Sequence, residues 1–275
     1  MSISTQAAVT VATSLGVECD DPVVVHDGSN VVVHLRPSPV VARVATLTAD
    51  IRPGIEAWFA RDAQVARHVA SRGVLATRPL GEPVVTGETV VALWHHEPHD
   101  PTARPGPAEV AERLAALHDA MLDLDADLPR LGPCDDLMRG LPLIAGLVSP
   151  PVLAMLRDET ERLLAALSDF PVRPVHGDAH PGNLLVTPSG LMWNDFEDAW
   201  LGPLGWDLAC LVESRRIDGP AAVAAYPGEV SAEELAVCVE LRTLFAVCWR
   251  FVVATRFPHR LSEAEEHLRL WLAAR

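Results

Sequence analysis

Asp178, Asn183 and Asp195 have the types and spacing to do chemistry together. Pro171 to Val175 reads as a short strand leading into His176-Gly177-Asp178-Ala179-His180-Pro181-Gly182-Asn183. Leu184 to Val186 and Leu191 to Trp193 read as two further strands joined by the turn Thr187-Pro188-Ser189-Gly190, and Asn194-Asp195-Phe196-Glu197-Asp198 follows. A hairpin of this length folds back, so residues just before its first strand lie near those just after its second. Asn183 and Asp195 therefore meet at its open end. Their amide and carboxylate oxygens suit a hard cation such as Mg²⁺, which takes one or two protein ligands and fills its shell with water and phosphate. Asp178, five residues before Asn183, can stay off the metal and face an incoming hydroxyl group.

The elements that must position these residues fall into two groups. In the first third, Val23–Val25 and Val31–Leu35 are β-branched runs separated by His-Asp-Gly-Ser-Asn, and Val40–Val44 forms a third run. Val84-Val85 and Thr89–Trp94 add two strands. Between the groups a helix is expected over about Pro53–Ser71, with Ile55, Trp58, Phe59, Val65 and Val69 on one face and Gly73 as its stop. Asp62 lies within that apolar stripe, and a carboxylate facing a core is costly unless paired. The stretch from His95 to Gly106 reads as a hinge. Beyond it the pattern is mostly helical. Pro107 opens a helix with a stripe of Val110, Leu114, Leu117 and Met121, and Leu153–Leu167 forms another. Ser231 with Glu234 resembles a capping box at the start of a long apolar helix to about Phe257, and Ser262 with Glu265 repeats the signal before the last helix. The expected organisation is a lobe over 1–94, a hinge over 95–106 and a larger lobe over 107–275.

Composition excludes several classes. Hydrophobic residues at 49% and charged residues at 21% mark a globular chain. No apolar run is long enough for a membrane span, because Arg242 and Arg250 interrupt the nearest one, Leu241–Ala254. No secretory signal is read at the start, and five scattered cysteines without a Cys-x-x-Cys pair read as reduced thiols, so a cytoplasmic location is expected. A net charge of −15 argues against a nucleic-acid partner. Residues 99–275 carry −12 of that balance, which would draw a cationic small molecule or simply keep the chain soluble. All 22 basic residues are arginine, so no mechanism here uses a lysine.

An Asp followed five residues later by Asn, and then by an Asp before Phe, is the arrangement of kinase catalytic and metal-binding segments. With His-Gly-Asp at 176–178, Asp-Phe-Glu at 195–197 and Gly-Pro-Leu-Gly-Trp-Asp-Leu-Ala at 202–209, the chain resembles the aminoglycoside phosphotransferase and choline kinase family. Leu114-Ala115-Ala116-Leu117-His118 matches another of its elements. The resemblance implies an α+β, bilobal protein-kinase-like fold, with a small antiparallel sheet and one helix before a larger helical lobe. It implies ATP as donor, with GTP open, and Mg²⁺ on Asn183 and Asp195. Asp178 would be the catalytic base. Gly28, Ser29 and Asn30 would form the nucleotide loop, and Asp207, with His176, would support the catalytic loop. His180, Glu197 and Asp198 are candidates for contact with substrate or metal, or for local hydrogen bonding and capping. His118 reads as a packed histidine rather than a ligand.

Two positions depart from the family. Arg43 stands where the family has the phosphate-binding lysine, and Asp62 where it has the partnering glutamate. Arginine keeps the charge and a two-bond grip, and can span the missing methylene. The inward Asp62 is therefore expected to pair with Arg43. The function implied is transfer of a nucleotide γ-phosphoryl group to a hydroxyl of a small molecule, such as an aminoglycoside, amino sugar or amino alcohol. The alternative is a catalytically impaired nucleotide-binding or interaction protein of the same fold. The sequence implies no particular oligomeric state.

Overall fold

The computed structural model describes residues 1–275 and divides into two compact units. The first comprises Met1–Pro105, Asp119–Asp127 and Gly182–Asp198, and the second Gly106–His118, Leu128–Pro181 and Ala199–Arg275. In chain order the elements are α1 (Ile3–Ser14), β1 (Cys19–Asp27), β2 (Asn30–Pro37), β3 (Val40–Ala45), α2 (Leu47–Ile51), α3 (Ile55–Ser71), β4 (Val84–Thr86) and β5 (Thr89–His95). They continue with α4 (Pro107–Met121), α5 (Pro133–Leu143), α6 (Pro150–Leu167), β6 (Arg173–Val175), β7 (Leu184–Thr187), β8 (Gly190–Trp193) and β9 (Trp200–Gly202). The chain closes with α7 (Leu204–Val212), α8 (Gly219–Ala225), α9 (Ala232–Arg256) and α10 (Leu261–Ala273). No helix is long and apolar enough to cross a membrane.

The first unit is built on a five-stranded antiparallel sheet in the order β1-β2-β3-β5-β4. Alternation assigns its two faces. Val31, Val33, Leu35, Val40, Ala42, Val44, Val91 and Leu93 point to one side and bury against Ala8, Val11 and Ala12 of α1. Arg43, paired across the strands with Val32 and Ala92, therefore stands on the opposite face. Local propensity does not announce α1, because Val9, Thr10 and Val11 are β-branched. Its cap, the Ser2 Oγ accepting from Thr5 N at 3.2 Å, and its burial on the sheet override that preference. The hairpin β7–β8 joins this unit through Leu75–Thr77: Trp193 N donates to Leu75 O and Thr77 N to Trp193 O, both at 2.9 Å.

The second unit is mainly helical. β6 pairs antiparallel with β9, Val175 facing Trp200. Helix α9 is its spine, burying Leu241, Leu244, Cys248, Phe251 and Val252. The Ser231 Oγ caps it by accepting from Glu234 N at 3.0 Å. The other half of the expected capping box does not form: Glu234 Oε1 accepts from Gly205 N at 2.7 Å, tying α9 to the start of α7. The second such signal does not act as a cap, since α10 begins at Leu261 and Ser262 lies inside it. A 3₁₀ turn over Pro258–Arg260 leads in instead.

Because Phe251 is fully buried in this spine, Phe251→Ala should lower unfolding free energy by about 3–5 kcal/mol. Ser231→Ala should cost about 1 kcal/mol. Chemical denaturation followed by circular dichroism measures both.

Candidate active site

In the first unit the site is organised around one guanidinium. Arg43 Nη1 bonds Asp62 Oδ2 at 2.7 Å, and Nη2 lies 2.6 Å from Asp195 Oδ1 and 2.7 Å from Glu197 Oε2. Its carbon sits 5.3 Å from the Phe59 ring centroid. The other carboxylate oxygen of Asp62 accepts the Phe196 N–H at 2.9 Å. The inward acid of α3 thus fixes both the β3 cation and the backbone of the Asp-Phe-Glu segment. A second guanidinium, Arg52, follows α2. It lies 3.1 Å from Glu197 Oε1 and 2.5 Å from Asp198 Oδ1, stacked 4.2 Å over Trp58. Arg61 flanks the same Trp58 ring at 4.7 Å and donates to Glu197 O at 3.2 Å.

The turn at Gly28-Ser29 is joined to this cluster. Asn30 Nδ2 reaches both Glu197 carboxylate oxygens at 3.3 Å, and Asn30 Oδ1 accepts from Thr48 Oγ1 at 2.5 Å. Gly28 N donates to Asn30 O, and Ser29 O accepts from Thr46 Oγ1 and Thr48 N. At the hairpin's open end Leu184 pairs with Trp193, and Asn194 N donates to Asn183 O at 3.0 Å. Asn183 and Asp195 therefore flank the same end of the β-ribbon. Asp195 is the one non-glycine residue with positive φ, +68°, a left-handed conformation rare for side-chain-bearing residues and frequent at functional sites.

Charge in this cluster is unbalanced. Asp62, Asp195, Glu197 and Asp198 crowd around Arg43 and Arg52. Burial alone would depress the Arg43 pKa, but Asp195, Glu197 and Asp62 hold it well above the usual range. Burial pushes Asp62 up to about 7 and Glu197 up to about 8, against the pull of the arginines and with the push of Asp195. An excess of buried carboxylates takes up a proton more readily than water-exposed ones do.

In the second unit a different carboxylate does the holding. Asp207 of α7 is fully buried; its Oδ2 accepts from His176 N at 2.7 Å and its Oδ1 from Gly177 N at 2.9 Å. His118 Nε2 meets Asp207 Oδ2 at 2.9 Å, and His118 Nδ1 lies 2.9 Å from the Tyr226 hydroxyl. Trp206 Nε1 donates to Gly177 O at 2.6 Å, and Gly177 takes φ +86°. The loop before Asp178 is thus fixed by its backbone, and His118 and His176 are both packed at zero exposure. The Asp178 side chain has two nitrogen-bearing neighbours: Arg242 Nη2 at 2.5 Å from Oδ1 and His180 Nε2 at 3.3 Å from Oδ2. Burial would raise the Asp178 pKa, but His180 and Arg242 hold it far below the usual carboxylate range.

Asn30, Arg43, Asp62, Asp195, Glu197 and Asp198 are thus one bonded cluster, with Gly28, Ser29 and Asn183 joined to it through backbone. His176, Asp178, His180 and Asp207 form a second. Sequence reasoning did not single out Arg52, Thr48, Tyr226 or Arg242. Arg242 carried a signal, since a cation inside the apolar face of α9 is the same local inconsistency that marks Asp62 in α3.

Several solved structures share this architecture. APH(2")-IIia, in its complex with GDP and kanamycin, superposes with a TM-score of 0.70 at 16% identity, covering 98% of this chain and 99% of that one. Amicoumacin kinase hAmiN, in complex with AMP-PNP, Ca²⁺ and Ami, gives 0.70 at 10% identity over 97% and 96%. Choline kinase LicA from Streptococcus pneumoniae gives 0.67 at 15% over 96% and 99%. The fold is α+β and protein-kinase-like. Residues 27–236 match the phosphotransferase enzyme family, APH, and the chain belongs to that family, whose members are small-molecule kinases. A search of curated protein sequences found no match.

The raised pKa values carry a sign. Asp62 binds a proton in the folded chain up to about pH 7, but releases it near 4 when unfolded, so folding takes up protons between these values. Stability from this group is complete below about pH 4 and is lost as pH rises through 7. In protein without metal or nucleotide, the melting temperature should fall between pH 5 and pH 8, and Asp62→Asn should flatten that slope. A scan of thermal unfolding against pH reads both.

Proposed function

We propose that this protein transfers the γ-phosphoryl group of a nucleoside triphosphate, ATP in the first instance, to a hydroxyl of a small molecule. Asp178 is the base. The observation that carries this reading is its setting: an ionised carboxylate on a loop whose backbone is fixed by Asp207. Such a group orients a hydroxyl and accepts its proton as the oxygen bonds to the γ-phosphorus and the bond to the β–γ bridging oxygen breaks. Held so far below the usual range, it is a weak base, and the proton moves late. Most acceleration then comes from positioning.

Arg43 contributes charge toward the inner phosphates, and Asn30 fixes the turn at Gly28-Ser29 relative to Glu197. The donors at the hairpin end are oxygens, without thiolate or imidazole, and no group of three or more His, Cys, Asp or Glu is arranged as a metal cage. That set fits a hard divalent cation that draws most of its ligands from phosphate and water. Asn183 and Asp195 would hold Mg²⁺, which supplies neutralisation of phosphate charge. Supporting a cationic acceptor are the acidic balance of residues 99–275 and the kanamycin bound by one structural neighbour.

A second reading is favoured by the arginines themselves. Asp195 is paired with Arg43 and Asp178 with Arg242, which suits a protein that binds nucleotide without turning over. Thermal shift with MgATP and MgGTP, beside release of nucleoside diphosphate over a panel of aminoglycosides, amino sugars and amino alcohols, separates the two. Binding without turnover across the panel would favour this second reading.

If the first reading holds, Asp178→Ala and Asp195→Ala each lower transfer by at least about 100-fold, with the circular dichroism spectrum unchanged. Near-normal turnover in either variant would remove that residue from the mechanism.

A further inference from the structure

We infer that Arg242 is a positioning residue for Asp178, acting on phosphoryl transfer through that carboxylate and not through the nucleotide. The inference rests on the reading of Asp178 as base. Arg242 lies on the long helix α9, 64 residues along the chain from Asp178, and its Nη2 meets Asp178 Oδ1 at 2.5 Å. The guanidinium is backed by aromatic rings, 5.2 Å from the Phe245 centroid and 5.8 Å from that of Trp206. Trp206 is the residue whose indole also holds Gly177 O in the loop before the base. Arg242, Trp206 and the Asp178 loop are therefore one connected assembly.

A carboxylate can swing about its Cβ–Cγ bond. Here one oxygen is pinned by Arg242 and the other faces His180, so the plane of the group is set before any acceptor arrives. The groups that bear on it are His176 and His180 from its own loop, Arg242 from α9, and the Cys210 thiol of α7, which burial and Asp178 keep protonated. Arg242 is the permanent charge among these.

A packing role does not explain an arginine at this position. The helix is already anchored by fully buried Leu241, Leu244 and Phe251. Arg242 has a side chain only 14% exposed. Burying a guanidinium carries a desolvation cost, and apolar residues of similar volume often serve stability as well or better. What an apolar residue cannot do is fix a carboxylate.

The test compares Arg242→Gln, Arg242→Lys and Asp178→Ala with the parent protein. Turnover is read as phosphate release from MgATP and MgGTP to water, and as transfer to any acceptor the panel yields. Arg242→Gln should lower kcat by about 10- to 100-fold while the KM for nucleotide stays within about twofold, as expected for a misplaced catalytic group. Arg242→Lys should recover part of the loss, because it keeps the charge and loses the planar fork. An Arg242→Gln protein with parental kcat, or one altered only in nucleotide KM, overturns the inference. Should the Gln variant fail to fold, the Lys variant decides: kcat reduced at least about fivefold at unchanged KM supports the role, and parental kcat overturns it. Full activity in Asp178→Ala would sink the assignment of the base itself. An inactive Asp178→Ala beside a fully active Arg242→Gln would sink only the role of Arg242.

Discussion

The first unit depends on the desolvated guanidinium of Arg43. It meets three carboxylates from two separate stretches of chain: Asp62 of α3, and Asp195 and Glu197 of the Asp-Phe-Glu segment that follows the β7–β8 hairpin. Burying Asp62 depends on this cation, burying Glu197 depends on it together with Arg52, and it could not itself be buried without them. The sheet, the helix and the ribbon are thereby locked in register by one side chain. Four carboxylates crowd around Arg43 and Arg52, and part of that surplus is relieved by the protons that Asp62 and Glu197 hold toward neutral pH.

The second unit solves a related problem in the opposite way. There a buried carboxylate, Asp207, gathers backbone N–H groups and a histidine. Backbone donors are fixed by the chain, so a loop held through them is more rigid than one held by long side chains. The base proposed on that loop then meets a guanidinium delivered by the helix that forms the core of the unit. Each unit thus pairs an arginine with a carboxylate of the proposed chemistry, one at the metal side and one at the base.

Much of this was legible in the sequence where the governing distances are short. The Asp178, Asn183 and Asp195 spacing is readable because a hairpin brings neighbours back to neighbours. Asp62 announces itself by breaking the stripe of α3, and a partner for it follows from charge alone. Helix α1 was not legible, since its β-branched residues become helical only by packing on a sheet that no local pattern reveals. Strand β6 was readable as the short run before His176, but its partner β9, three residues long, and their pairing were not. Glu197, read as a candidate for substrate contact or for capping, lies buried between two arginines. Its neighbours come from residues 30, 43 and 52, and no periodicity links those positions. Arg242 was visible as an interruption of an apolar run, but helix spacing says which face it occupies and not which acid waits there.

The exchange of lysine for arginine at position 43 also changes what the protein can react with. A guanidinium in this setting keeps its proton at any accessible pH, so it offers no nucleophilic amine. Electrophilic nucleotide analogues that acylate a lysine beside the phosphates would find nothing to modify, and enzymatic acetylation could not silence this residue. With arginine in place of lysine throughout, side-chain amine chemistry is closed to the whole surface, and dicarbonyl reagents selective for guanidinium are one covalent route that stays open.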